Sequence, residues 1–270
     1  MSEGKIGIKK YLLIRLIVIF GVMPLLLDLD NTLFGSVPAY EYAIARMEEH
    51  WENQGRGSRD EFRKLYSHAR KHYKKVLEHH TSNRLRLLYF KQMIEEKYGK
   101  LIPELALDMD RQYFTWFEEA VRIEQEEKKE MFHLLFKYLE EIALHDKIVL
   151  VTNETLRTQL LKLSFFLPDN LPVKLVTSEE IGIEKPQPYI FRRAMELVDG
   201  KPEKCLMIGD NLKDDIGGAM NLGIHAIHLT AMFGQGRELV EKELDGKRYL
   251  ESDSIIKAVE YYTLKFVKLA

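Results

Sequence analysis

Asp28 and Asp30 stand two residues apart where an apolar run, Pro24 to Asp28, gives way to Asp28-Leu29-Asp30-Asn31-Thr32-Leu33. Along a strand, residues 28 and 30 point the same way, and the loop beyond can turn both into one crevice. Paired carboxylates have a clear chemical use there. One can attack phosphorus to form an aspartyl phosphate while the other supplies and later removes a proton. A divalent cation nearby would keep the attacking group ionised beside its like-charged neighbour. The same residues also read as an Asx-type turn closing a buried strand.

Three further runs end in residues of matching chemistry. Val151-Thr152-Asn153 offers a hydroxyl and backbone N–H groups at a helix start, which suits a phosphate, although Thr152 alone reads as a helix cap. Ile183-Glu184-Lys185-Pro186 holds a cation in a loop, where a lone lysine is usually solvated. Ile208-Gly209-Asp210-Asn211-Leu212-Lys213-Asp214-Asp215 gathers carboxylates at a helix start. Such a cluster can simply cap that helix, or supply the oxygen ligands that magnesium requires.

The elements that must position these residues are five continuous apolar runs: Pro24 to Asp28, Lys147 to Thr152, Val173 to Thr177, Lys204 to Ile208 and His225 to Thr230. Continuity rather than alternation predicts parallel strands covered on both faces. Helix-length segments Glu154 to Phe166, Pro188 to Val198 and Asp214 to Leu222 alternate with the later runs, so the fold class is α/β, a doubly wound parallel sheet. More than a hundred residues separate the first two runs, too many for a loop. The interval is rich in helix signals. Tyr40 to Trp51 and Glu104 to Ile123 read as helices, the capping box Ser58-Arg59-Asp60-Glu61 opens another toward Glu78, and Gly99 closes Ser82 to Tyr98. An all-helical domain at 36–118 is therefore expected within a core formed by 1–35 and 119–270. A segment Lys128 to Leu144, with Met131, Leu134, Leu135, Tyr138 and Ile142 at helical spacing, should return to the sheet. Ser252 or Asp253 should cap a last helix that packs through Ile256, Val259, Leu264 and Val267.

With 40 basic and 42 acidic residues, a formal charge of -2 gives no global pull toward nucleic acid or an anionic membrane. The single cysteine, Cys205, lies in an apolar run and reads as a buried core residue. Nine scattered histidines form no zinc-like pattern, and His225 and His228 read as packing residues of the fifth strand. The apolar stretch Tyr11 to Leu29 resembles a signal peptide or anchor, but Arg15 interrupts it and its end is the first strand. It is read as a packed extension, or as residues preceding a true start at Met23. A cytoplasmic protein with no membrane or nucleic-acid partner is expected.

In their order, these strand ends resemble the haloacid dehalogenase superfamily, over nearly the whole core. The resemblance implies a Rossmann-like core with a helical cap inserted after the first strand, and a magnesium-dependent phosphatase acting on a small phosphorylated metabolite. It implies Asp28 as nucleophile and Asp30 as general acid/base. Thr152, with Asn153 beside it, and Lys185 would bind the transferring phosphoryl. Magnesium would be held by Asp28, the Asp30 carbonyl and Asp210, with Asp214 or Asp215 in support. A phosphomutase would use the same core, a dehalogenase would lack the second aspartate, and a binding protein would not need the full set. Arg56, Arg84 and Arg86, with Tyr40, Trp51 and Tyr89, are candidates for contacting the rest of the substrate, although most read as ordinary helix residues.

Overall fold

The computed structural model describes residues 23–267. The expectations for the segment before Met23 lie outside the described residues. A seven-stranded sheet runs in the order β3-β2-β1-β4-β5-β7-β6, with β1 Leu25–Leu27, β2 Ile148–Thr152, β3 Val173–Thr177, β4 Leu206–Gly209, β5 His225–Leu229, β6 Val240–Leu244 and β7 Lys247–Ser252. β1 pairs in parallel with β2 on one side and β4 on the other, register Leu26 to Val149 and to Met207. Its three leucines are fully buried, as the central strand of a sheet covered on both faces requires. α6 Leu156–Phe166 and α7 Pro188–Val198 provide crossovers.

β6 and β7 form an antiparallel hairpin that apolar patterning does not reveal. β6 is mostly exposed and charged, and ion pairs tie the hairpin together, Arg248 to Glu241 at 3.2 Å and Lys242 to Glu251 at 3.7 Å. Its turn is Asp245-Gly246, both at positive φ (50° and 75°), the backbone that a two-residue hairpin turn demands.

The long interval is helical throughout its main elements: α1 Ser36–Asn53, α2 Arg59–Val76, α3 Arg86–Tyr98 and α4 Pro103–Glu127. Ser58 caps α2 by accepting from Glu61 N at 3.2 Å, but the Glu61 side chain bonds Lys97 instead of returning, so the capping box is half formed. Gly99 ends α3 in the left-handed conformation, φ 66°. α4 runs through residue 118 unbroken to Glu127, and Lys128 separates it from α5 Lys129–Ala143. Trp51 and Tyr89 are buried within this helical layer, so neither is available to a substrate.

Two helix faces differ from expectation. α5 packs through Phe132, Leu135, Phe136, Leu139 and Ile142, while Leu134 is 40% exposed. The buried stripe is set by the two phenylalanines, whose rings stack on Phe166 of α6. The last helix, α8 Ile255–Tyr262, is preceded by Ser254, and the Ser252 hydroxyl folds back on the Ser254 backbone rather than capping the helix. Ile255, Ala258, Val259 and Tyr262 are its buried residues, and Leu264 faces out. Cys205 is buried, as expected, and burial pushes its thiol up to about 11. Truncating Leu139 to Ala should cost about 2–5 kcal/mol in urea denaturation, and Leu134→Ala under about 1 kcal/mol; equal losses would place the wrong face inward.

Candidate active site

From β1 the chain moves outward through β2 and β3, then returns to the other side as β4 and β5. The crevice at this switch opens beyond Leu27 and Gly209, where open α/β sheets bind ligands. Asp28, 5% exposed, follows β1 directly, its N–H donating to Ile208 O at 2.9 Å. Asp28 Oδ1 accepts from Lys185 Nζ at 2.6 Å and Oδ2 from Thr32 Oγ1 at 3.2 Å. Lys185 Nζ also donates to Val151 O at 2.7 Å and lies 2.6 Å from Asp215 Oδ1. Three acceptors thus surround an ammonium with three donors. Asp215 fits only because residue 209 is glycine, where a Cβ would come within 2.4 Å of its carboxylate.

Burial raises the Asp28 carboxyl well above its ordinary value, Lys185 opposes this, and the charges of Asp215, Asp210 and Asp30 add to it. Asp210 is pushed up to about 6 by burial and by Asp215. Burial would lower Lys185, but the charges of Asp215 and Asp28 outweigh it and raise the ammonium's pKa. Carboxylate oxygens of Asp28, Asp210 and Asp215 all lie within 4.8 Å of one another. Asp215 Oδ1, although beside Lys185, has no aligned donor and is a buried oxygen short of a hydrogen bond. Such an all-oxygen set fits a hard divalent cation. Between the two candidates for support, Asp215 joins this cluster, while Asp214 lines the cleft and accepts from Asn211 Nδ2 at 3.2 Å.

Asn153 lines the cleft and staples two loops: its Oδ1 accepts from Lys185 N at 2.6 Å and its Nδ2 donates to Lys185 O at 3.0 Å. Thr152 is fully buried and does not line the cleft, and its hydroxyl accepts from Gln159 Nε2 at 2.5 Å. His228 Nε2 contacts Asp210 O at 3.0 Å, a link to the site beyond simple strand packing.

Sequence reading missed the side chains that hold Asp30. Lys162, with no exposed surface, and the Ser36 hydroxyl both bond Asp30 Oδ1, and Gln159 Nε2 donates to Oδ2 at 2.7 Å. Burial would raise this carboxyl, but the Lys162 charge and the three side-chain hydrogen bonds bring it down to about 2. The signal was available: Gln159 and Lys162 lie three apart on a helix, among the buried Leu163 and Phe166. Of the six residues suggested for the rest of the substrate, Arg84 alone reaches the cleft. Arg86 is buried over the Tyr40 ring, 4.6 Å from its centroid, and pairs with Glu154 at 3.2 Å, while Arg56 lies 3.8 Å from Asp108.

Residues 25–223 match the haloacid dehalogenase-like hydrolases, and the chain belongs to that family. It is thus a hydrolase by family. It is 28% identical over 203 residues to a ribulose-1,5-bisphosphate 5-phosphatase of Halopiger xanaduensis, covering 75% of this chain and 82% of that one. It is 25% identical over 182 residues to the pyrophosphatase PpaX of Bacillus mycoides, 66% of this chain and 77% of that one. Over a shorter stretch of 72 residues it is 40% identical to a glyceraldehyde 3-phosphate phosphatase of Methanothermobacter thermautotrophicus, 27% of this chain and 29% of that one. Among solved structures, a 2-haloacid dehalogenase from Pseudomonas syringae shares the fold with TM-score 0.65 and 22% identity, covering 92% of this chain and 100% of that one.

A carboxyl whose folded pKa is raised holds its proton more tightly folded than unfolded. Asp210 therefore costs the metal-free protein stability as pH rises from 3.8 to about 6. A cation competes with the proton for the same oxygens. Added magnesium should raise the melting temperature at pH 7.5, by about 2–4 °C per kcal/mol of binding, and by clearly less at pH 5. Equal shifts in a scanning-calorimetry series would remove these carboxylates from the cation site. Separately, Lys162→Met should destabilise by about 3–5 kcal/mol because it strands Asp30, and combining it with Asp30→Asn should recover part of that loss in a denaturation cycle.

Proposed function

We propose that this chain is a magnesium-dependent phosphatase that hydrolyses a small phosphorylated metabolite through an aspartyl phosphate on Asp28. The observation that carries the reading is the buried Asp28 carboxylate, held by Lys185 at the edge of a carboxylate triad suited to a divalent cation. Relatives named as phosphatases of sugar phosphates and pyrophosphate support it. Asp28, Asp210 and the Asp30 carbonyl would hold magnesium, with Asp215 in support. When bound, the cation neutralises charge on the phosphoryl oxygens and keeps Asp28 ionised.

Asp28 attacks phosphorus, the P–O bond to the leaving group breaks, and the electron pair departs with that oxygen. Lys185 balances the charge spread over the phosphoryl oxygens, and Asn153 fixes the Lys185 loop. Thr152 accepts from Gln159, which does not use its O–H, but it is fully buried and does not line the cleft, so its role is the weakest of the set. Water then attacks the aspartyl phosphate and gives its proton to Asp30, whose ionised form is the one its clamp favours, while the bond from phosphorus to Asp28 breaks, releasing phosphate and freeing the carboxylate. Donating a proton to the leaving oxygen in the first step uses the form that the clamp disfavours, which suits leaving groups that need little acid help. A dehalogenase reading draws on the shared fold of a solved dehalogenase. The presence of Asp30 two residues after the nucleophile opposes it. Among the described residues no helix is long and apolar enough to cross a membrane.

Phosphate release from an aryl phosphate with magnesium should cease on chelation, and full activity in excess chelator would sink the mechanism. Asp30→Asn should lower turnover of alkyl phosphates by about 10²–10⁴-fold. With an activated leaving group the mutant should accumulate phosphoryl on Asp28, visible by mass spectrometry after rapid quench. Near-normal turnover of an alkyl phosphate by this mutant would deprive Asp30 of its role.

A further inference from the structure

The catalytic cleft, about 140 Å³, is lined by Asp28, Asp30, Asp210, Asp214 and Asp215, by asparagines, and by two cations, Lys185 and Arg84. The Lys185 ammonium donates to Asp28 and Val151 O and is ion-paired with Asp215. Arg84 comes from a different part of the molecule, the turn Thr81–Arg84 of the helical insert, and is the one lining residue that the insert contributes. Its Nε is anchored on Glu184, which is 7% exposed and directly precedes Lys185. The chain is fixed at the same place by Glu184 N donating to His79 O at 2.8 Å. Arg86 Nη1 donates to Arg84 O at 2.6 Å and ties the turn to the largely buried Arg86–Glu154 pair. The Arg84 side chain is 28% exposed, and no hydrogen bond is found for its terminal Nη groups among the described residues. A guanidinium held by one edge on a rigid acid presents its other edge as a ready fork for a carboxylate or phosphate.

We propose that Arg84 is a specificity residue that binds a second anionic group on the part of the substrate that departs, so that the preferred substrates are phosphate esters or anhydrides carrying a distal phosphate or carboxylate. The proposal rests on the phosphatase reading. Elsewhere in the cleft a second anion would face the five carboxylates that line it, whereas beside Arg84 it meets a cation with donors to spare. The helical insert would thereby choose the substrate through one charged contact, while the sheet edge handles the phosphoryl group common to all of them.

The test compares kcat/KM for two matched pairs, ribulose 1,5-bisphosphate against ribulose 5-phosphate, and 3-phosphoglycerate against glyceraldehyde 3-phosphate. The first pair reports a distal phosphate and the second a carboxylate. The wild type should prefer the anionic member of at least one pair. Arg84→Gln should cut that preference by about 10- to 100-fold, mainly through KM, as expected for lost charge-assisted hydrogen bonds. Arg84→Lys, which keeps the charge and a link to Glu184, should keep part of it. Glu184→Gln removes the anchor but not the guanidinium, so it should affect both members of a pair alike. No preference in the wild type, an equal fall for both members in Arg84→Gln, or the same pattern in Arg84→Gln and Glu184→Gln would reduce Arg84 to a structural latch and overturn the proposal. If the wild type turns over neither these esters nor an aryl phosphate, the phosphatase reading itself fails. Calorimetric binding of pyrophosphate with magnesium then decides on Arg84, and an unchanged affinity in Arg84→Gln would overturn its role.

Discussion

Four carboxylates, Asp28, Asp30, Asp210 and Asp215, converge on one edge of the sheet, and the way their charge is balanced governs most of what surrounds them. Burial and mutual repulsion push Asp28 and Asp210 toward their protonated forms, where neither a nucleophile nor a cation ligand is useful. Lys185 offsets part of this by lying 2.6 Å from both Asp28 and Asp215. The remaining negative charge is what a divalent cation would neutralise. Much of the local architecture serves this balance. Asn153 clamps the Lys185 loop, Gly209 leaves room for Asp215, and Asn211 accepts from Lys213 N and Asp214 N to shape the turn that delivers it.

Asp30 is treated differently from its neighbours. It has a private cation, Lys162, and two neutral donors, so it stays ionised without drawing on Lys185 or on a metal. Two aspartates separated by one leucine therefore have opposite electrostatic settings, Asp28 raised and Asp30 lowered. Pairs of titratable groups pushed apart by their surroundings are how one site performs two proton-dependent tasks. The cost is structural: a fully buried lysine must be packed among Phe34, Tyr40 and Phe117, whose rings lie 5.0–5.9 Å from its ammonium. Those rings come from the turn after β1 and from α1 and α4, so the helical insert and the core are joined at Asp30 itself.

The insert touches the core through charge as well as through packing. Arg84 and Arg86 pair with Glu184 and Glu154, and each glutamate is the sequence neighbour of a cleft residue, Lys185 or Asn153. Arg86 and Glu154 are almost wholly buried and act as structure. Arg84 is partly open and faces the cleft, so the proposed specificity contact lies two residues from a structural one.

The succession of strands along the chain, their parallel pairing and the residues at their ends were legible in the sequence because they depend on local signals. Continuous apolar runs report burial on both faces, and a chain that alternates strand and helix has few ways to close. That made Asp28, Asp30, Lys185 and Asp210 recognisable as a set, and the structure brings them together. The β6–β7 hairpin escaped because its stability comes from cross-strand ion pairs and a two-residue turn, not from apolar periodicity, although Asp245-Gly246 was a readable sign. Burial patterns on α5 and α8 shifted by a residue or two, since a helix's inward face is fixed by what packs against it. Tertiary structure alone decided the pairings across long sequence separations. Asp215 rather than Asp214 enters the carboxylate cluster, Lys162 reaches Asp30 across 132 positions, and Arg84 rather than Arg56 or Trp51 reaches the cleft. The reason is physical: residue type states what chemistry a side chain can perform, but whether a charge is solvated, buried or paired depends on distances that only the folded chain sets.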